Sequence, residues 1–593
     1  MRVAQQARTR RQISRTLSVS SPVGGWNARD PISAMPETDA VTLDNFFCTP
    51  FDVVVRDGSS NWATGITGTV NTVTSYSPPS GVLKLFAFAL ANAYDITVQG
   101  AVSAPVLTGF TSDKWQHVNF GTAGGDFLVC ANGADLPIVY SGAGWNNIAA
   151  AVFPSTTTLT SVGTLATVTT GTAHSLKTGM SVVVAGWTPS GYNGTYVVTV
   201  TGANTFTFVL AGALGVTTVS GTIVPLGNFV VTGVNPALFI QPAIFKSRLW
   251  FVERNSLRVW YLPALSLGGA AANVDLTSIF NRGGFLMAMG DWSLDAGYGL
   301  DDYAVFISSE GQVAVYKGTD PASITTWGLI GVFDVGSPIG RRCLMKYAGD
   351  LIFISKDGLS PLSKALMSSR VNSQEMLTDK IQHVISDYTT TYAANFGWEC
   401  QIFPQQNMLL MNIPIGNGTA YQVAMNTISG AWSRFLGWNA ACFELHGDLL
   451  YFGTAGAVCK AWDTQADLGT NINFEAQQSF NYFGSHAQLK QVKMLRPIIS
   501  TDNNLSVLLG VNVDFDTSSP TGVPTFSPST SALWDVATWD GTFSWSGNLQ
   551  IKKDWQTAFG LGYAISAHMK GATSIARLRW ASTDYLVDDG GVI

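Results

Sequence analysis

Gly349-Asp350-Leu351-Ile352-Phe353-Ile354 is a polar turn followed by an apolar run too short for a helix. The same phrase opens at Gly125-Asp126-Phe127-Leu128-Val129-Cys130, Ser247-Arg248-Leu249-Trp250-Phe251-Val252 and Asp302-Tyr303-Ala304-Val305-Phe306-Ile307. It returns at Asn407-Met408-Leu409-Leu410-Met411 and Gly447-Asp448-Leu449-Leu450-Tyr451-Phe452. Apart from the long first gap, the copies recur about every 50 residues, the size of a propeller blade. Six copies predict an all-β fold: a six-bladed β-propeller with an inserted small β-domain and a C-terminal β-sandwich-like domain. A propeller is a closed ring with an axial channel and needs no catalytic chemistry.

The long gap holds the insertion. Residues 155–226 are rich in Thr, Val and Gly and almost free of charge. Runs such as Thr167-Val168-Thr169-Thr170, Ser181-Val182-Val183-Val184 and Thr205-Phe206-Thr207-Phe208-Val209 alternate as strands do. The predicted divisions are a basic N-terminal arm (1–23), a lead-in segment with the first blades (24–154), the insertion (155–226), the remaining blades (227–470) and a C-terminal β-domain (471–593). Arg56-Asp57-Gly58 reads as a hairpin turn into the propeller. One helix is expected, because Leu377, Ile381, Val384, Ile385 and Tyr388 share a helical face. Thr378 or Ser373 would cap it, and it would pack outside the ring.

Only 12 % of the 593 residues are charged, while 46 % are hydrophobic. No apolar run reaches the ~18 residues of a membrane span. The surface is thus built from Ser, Thr, Asn, Gly and aromatics, which suits permanent contact with other subunits. A net charge of −6 argues against a protein that grips nucleic acid over its whole surface. The six cysteines show neither C-x-x-C pairs nor zinc spacing and read as buried thiols of a reducing cytoplasm. The N-terminus lacks the apolar stretch of a secretory signal.

No nucleotide-binding, zinc-protease or nucleophile-elbow motif is present. The six histidines are scattered and read as structural. Asp291, Asp295, Asp301 and Asp302 surround a Gly-rich loop; calcium ligation and turn capping both fit, but the spacing matches no EF-hand. Asp514 and Asp516 alternate as on one strand face, the geometry of a solvated strand or of a glycosidase pair. Ser355-Lys356-Asp357-Gly358 reads as a hairpin turn inside a blade. Catalytic, cofactor and metal residues are therefore expected to be none. Candidate partner-binding residues are Arg8, Arg10, Arg11 and Arg15 of an arm without acids, and the aromatic anchors Trp534 and Trp539, near Trp545 and Trp555.

The two ends of the chain carry a resemblance. Gly24-Gly25-Trp26-Asn27-Ala28-Arg29-Asp30-Pro31, Met35-Pro36, Asp39-Ala40-Val41 and Leu43-Asp44-Asn45 resemble the opening of tail nozzle or hub proteins of short-tailed bacteriophages. Tyr482-Phe483-Gly484-Ser485, Leu489-Lys490-Gln491-Val492 and Arg496-Pro497 are similar to the same family. So are Leu533-Trp534-Asp535, Trp539-Asp540, Gly562-Tyr563, Met569-Lys570-Gly571, Ser582-Thr583-Asp584-Tyr585 and the closing Gly590-Gly591. The resemblance covers about 24–154 and 227–593, and none of its motifs is catalytic. It implies a structural virion protein, made in the host cytoplasm and residing in the tail. It implies a hexamer below a head–tail adaptor ring; a tail fibre or tailspike is a further candidate partner, whose attachment the sequence leaves open. Genomic DNA would pass without specific binding, because a weakly acidic wall lets it slide. The alternative from another class is a propeller glycan-binding protein or glycosidase.

Overall fold

The computed structural model describes residues 14–217, 219–295, 300–323, 325–347, 349–367, 376–502, 505, 507–521 and 550–592. Every repeated phrase falls on the second strand of a blade, and all but Asp302–Ile307 begin at its hairpin turn. Glu399–Phe403 turns at Asn407 into Met408–Gly416, and Cys442–His446 turns at Asp448 into Leu449–Ala461. Asn407 and Asp448 adopt left-handed φ of 49° and 63°, which Asn and Asp tolerate better than most side chains. The second strands are covered on both faces by neighbouring blades, so they are apolar without alternation. Leu409, Leu410 and Met411 are all fully buried.

Among the described residues the ring has seven blades, which corrects the expected six. Their innermost strands are the second half of Ser59–Tyr76, then Gln116–Thr122, Phe239–Phe245, Leu286–Asp295, Leu344–Tyr347, Glu399–Phe403 and Cys442–His446. Each packs against the next, and Cys442–His446 returns to Ser59–Tyr76. The blade missed in the sequence is the first: Ser59–Tyr76, Lys84–Ala89, Asn92–Asp95 and Leu107–Thr108. Its turn is a Pro78-Pro79 loop rather than a Gly-Asp pair, and Lys84 interrupts the apolar run.

The seventh blade closes the ring from both ends of the chain. Leu449–Ala461 pairs with the first half of Ser59–Tyr76, from Ala455 opposite Thr69 to Ala461 opposite Ser59. Arg56–Gly58 is therefore a link between two sheets, not a hairpin turn. Its Arg56 is fully buried and ties the closure together. The guanidinium pairs with Asp467 at 2.5 Å, donates to Asn45 Oδ1 at 2.8 Å and lies 4.7 Å over Trp438.

The insertion leaves the ring after the second blade. It forms a four-stranded sheet (Thr156–Val162, Leu165–Thr170, Thr205–Val209, Thr199–Gly202) and a three-stranded one (Gly194–Val197, Ser181–Ala185, Thr222–Pro225). Its core is continuous with the ring: Leu176 and Met180 join Phe110, Trp115 and Trp145 in one buried cluster.

The lead-in segment belongs to the C-terminal domain rather than to the first blades. Asp39–Asp44 pairs with Ile472–Gln478, which continues to Ile565–Thr573 and Val507–Val513. A second sheet sets Phe46–Cys48 and Val53–Val55 beside Leu578–Val592 and Gln488–Thr501. Phe46, Phe474, Ile499, Met569 and Trp580 fill the space between the sheets. Ser14–Ser20, the end of the supposed arm, is a strand against Leu578–Val592.

The expected helix spans Gln382–Tyr392 after a short turn at Asp379–Ile381. It does not sit on the outside of the ring. Ile381 and Ile385 are fully buried in the cluster shared by blades five and six and the terminal domain, so the helix is a wedge between the two bodies.

Candidate functional site: the axial channel

The innermost strands bring seven side chains, five of them polar, to one place. Val73, His117, Gln241, Met289, Lys346, Gln401 and Glu444, one from each blade, line a cavity of ≈ 560 Å³ on the ring axis. This is the size of a small-molecule site.

The cavity is closed on one side by Arg342, which stands just before the inner strand of blade five. Its guanidinium donates to Glu399 Oε2 of blade six at 2.9 Å. It also donates to Asn71 O, Thr72 Oγ1 and Trp115 O at 3.2, 2.9 and 3.1 Å, which belong to blade one and the link to blade two. Glu399 also accepts the Phe443 N–H of blade seven. One buried ion pair therefore joins five consecutive members of the ring across its centre. Burial pushes the Glu399 carboxyl above its ordinary value against the pull of Arg342. The neighbouring Arg341 donates to the carbonyls of Leu286 and Met287 at 2.7 and 3.0 Å, and burial lowers its guanidinium to about 10.

A second polar group holds the seam where the first and last blades meet. Glu444 accepts from the Ser75 N–H at 3.1 Å and lies 3.3 Å from His117 Nε2, while Ser75 Oγ is 2.8 Å from His446 Nδ1. Burial lowers the His446 pKa. Ser75 is only 3 % exposed, so this hydroxyl is a seam bond rather than an accessible nucleophile.

The residues singled out in the sequence lie elsewhere. Arg8, Arg10, Arg11, Trp534, Trp539 and Trp545 fall outside the described residues. Arg15 pairs within the chain, at 2.9 Å from Asp589. Trp555 is half-buried, with the Arg496 guanidinium 4.7 Å above its ring. Of the aspartate loop, Asp291 pairs with Lys346 at 2.5 Å and Asp302 with Lys246 at 2.6 Å; the side chains of Asp295 and Asp301 lie outside the described residues. Among the described residues no three acids, histidines or cysteines gather as a metal site.

Asp514 and Asp516 do not share a strand face. The strand ends at Val513, and Asp514 and Phe515 turn through φ of 49° and 72°. Asp514 accepts the Tyr563 and Ala564 N–H groups, and Asp516 those of Ser518. Both carboxylates cap turns. Ser355–Gly358 is the blade turn it was read to be, with Ser355 Oγ donating to Gly358 O at 3.0 Å.

The channel residues Arg341, Arg342, Glu399 and Glu444 were not singled out beforehand. Their one signal is position, at or just before the strand that precedes a repeated phrase.

No family model matches the chain, and no curated protein matches it. Among solved structures it is similar to Sqt1 of Saccharomyces cerevisiae, at 12 % identity over 68 % of this chain and 98 % of that one, with a TM-score of 0.33. BamB of Moraxella catarrhalis matches at 12 % identity over 69 % and 98 %, with a TM-score of 0.29. YCF48 bound to a D1 peptide matches at 10 % identity over 72 % and 99 %, with a TM-score of 0.24. At these scores the likeness adds nothing to the sheet topology, on which the fold rests.

Proposed function

We propose that this chain is a structural subunit of a bacteriophage tail, a nozzle or hub that assembles as a hexamer below the head–tail adaptor. The observation that carries the reading is the convergence of the resembling stretches. Gly25-Trp26 pairs with Asp39-Ala40, and that strand pairs with Ile472–Gln478. Pro497 stands opposite Thr583, and Arg496 pairs with Asp584 at 2.6 Å. Motifs from opposite ends of the sequence thus belong to one folded body, as a family motif set should.

The mechanism is mechanical and electrostatic. Because Arg342 closes the subunit's own axis, the DNA path in this reading runs between subunits, along the symmetry axis of the ring. A net charge of −6 on each subunit disfavours adhesion of phosphates to that path. The basic residues Arg8, Arg10 and Arg11 reach the adaptor.

Mass measurement and electron microscopy of the purified full-length protein test this. A sixfold ring is the expected particle, and a monomer at all concentrations overturns the reading. Deleting residues 2–13 should weaken attachment to the adaptor at unchanged melting temperature.

A further inference from the structure

The rim of the ring is unevenly covered. The insertion bridges to blade one at Thr108–Thr178 and to blade two at Trp145–Met180. Blade five runs into the helix Leu362–Met367, and its Leu359 N–H donates to Thr378 Oγ1. Blade six continues into the terminal domain, with Asp44 opposite Arg434. Blade seven is covered by Gly100–Ala101. Two outer edges remain: the short Ala272–Asp275 of blade three, and Trp327–Asp334 of blade four, beside which no further described strand pairs.

The blade-four edge carries no charge before Asp334 and exposes Leu329 by 41 %, Ile330 by 57 % and Val332 by 38 %. Val315 faces Gly331 and Tyr316 faces Leu329, so Ile330 is the extra residue of a bulge. A bulge opposes strand addition and re-aims a side chain, so this edge is built for side-chain contact.

The insertion offers a second patch of the same character. Residues 155–226 hold one Lys and no Arg, Asp or Glu. That residue, Lys177, turns inward, 3.4 Å from Asp135 and 5.8 Å from the Phe110 ring. The outer sheet face pairs Thr160, Thr167, Thr207 and Thr199 across its strands, and Thr158 with Thr169 and Thr205. At its hairpin end Val162, Leu165 and Val209 lie side by side, exposed by 86 %, 47 % and 67 %. Nearly all these side chains are β-branched and stiff, so covering them costs little rotamer entropy. The face has no cation for a phosphate. Of the large aromatics that a sugar would need, Trp187 and Tyr192 are buried, and the half-buried Tyr196 is already stacked on Phe208. An uncharged face is matched by another uncharged face, since a charged one would lose its hydration without gaining a partner.

We propose that the apolar corner of the insertion in one copy docks on the bare blade-four edge of the next copy. The proposal rests on the ring reading above and supplies its repeating contact. Two different patches make a head-to-tail contact, which closes into a ring when the angle is right. Seven blades stand about 51° apart, and the insertion is centred two and a half blades from blade four, about 130° around the propeller axis. The two contacts of a subunit in a hexagon subtend about 120°.

The test uses the full-length chain with Val209→Lys or Ile330→Lys, both at exposed positions. Each variant should melt as the wild type does, and its ring fraction should fall at least about tenfold. Mixed in equal amounts, the I330K chain retains a sound insertion and the V209K chain a sound edge, so the mixture should give heterodimers and no rings. A mixture without heterodimers overturns the proposal. Rings persisting in both variants overturn it while leaving the tail reading intact, and a monomeric wild type overturns both. If either variant unfolds, Val162→Lys or Leu329→Lys on the same patch replaces it.

Discussion

Arg342 is the residue on which the ring centre depends. Its side chain is 14 % exposed and that of Glu399 is 8 %. Replacing Arg342 by Met leaves Glu399 buried without its cation, a loss of about 3–5 kcal/mol. The double variant Arg342→Met/Glu399→Leu removes the stranded charge and should recover most of that loss. Denaturant unfolding of the single and double variants checks both expectations; equal losses would mean that the Arg342 bonds to blade one matter more than the ion pair. A second residue-scale prediction concerns pH. Burial holds His174, His446 and His568 below the ordinary value of 6.5. The unfolded chain takes up these protons near pH 6.5, whereas the folded chain does so only at lower pH. This stability is therefore fully present above about pH 6.5 and is lost as pH falls towards the depressed folded values. The unfolding midpoint should be lower at pH 5.5 than at pH 7.5, and His446→Gln should flatten the slope; a pH-independent midpoint contradicts the expectation.

At the scale of elements, the sequence was most legible where a turn demanded a special residue. Asn407, Asp448 and Gly349 stand at hairpin turns with positive φ, and the apolar run behind each is a doubly covered strand. Blade one was hidden because its turn is built on Pro78-Pro79. Blade seven was half hidden because its third strand comes from the other end of the chain, a pairing that no local pattern announces. The turn at Asp514 was misread as strand because alternation in Val513–Asp516 continues three residues beyond the last ladder pair, Val513 opposite Ile565. The channel residues were illegible for a similar reason: Arg342 and Glu399 acquire meaning only when blades five and six meet. The insertion was read as a separate unit; it folds into two sheets whose core is shared with blades one and two. Replacing 158–224 with a Gly/Ser linker should therefore leave a folded propeller with a lower melting temperature, because Leu176 and Met180 no longer cover Phe110 and Trp145. Circular dichroism and a thermal scan decide it. Global unfolding would make the insertion an obligatory part of the ring, and an unchanged melting temperature would deny the shared core.

At the scale of the whole molecule, the first and last described strands lie in one sheet, with Ser14 opposite Asp588. Joining residues 14 and 592 by a short linker and opening the chain at the exposed hairpin Gly163-Thr164 should give a circular permutant that folds. Far-ultraviolet dichroism like that of the parent and a melting temperature within a few degrees are expected. Failure to fold would show that the order of synthesis matters. That order is the deeper consequence of the closure by Ser59–Tyr76. At ribosomal rates of about 5–20 residues per second, the strand leaves the ribosome roughly 20–80 s before its partner Leu449–Ala461 is made. Trp26, Phe46 and Phe47 wait longer still for the strands that bury them. A newly made chain therefore carries an unclosed ring and a bare apolar head through most of its translation. Its yield in the cell is set by whatever shields those first residues until the last strand arrives.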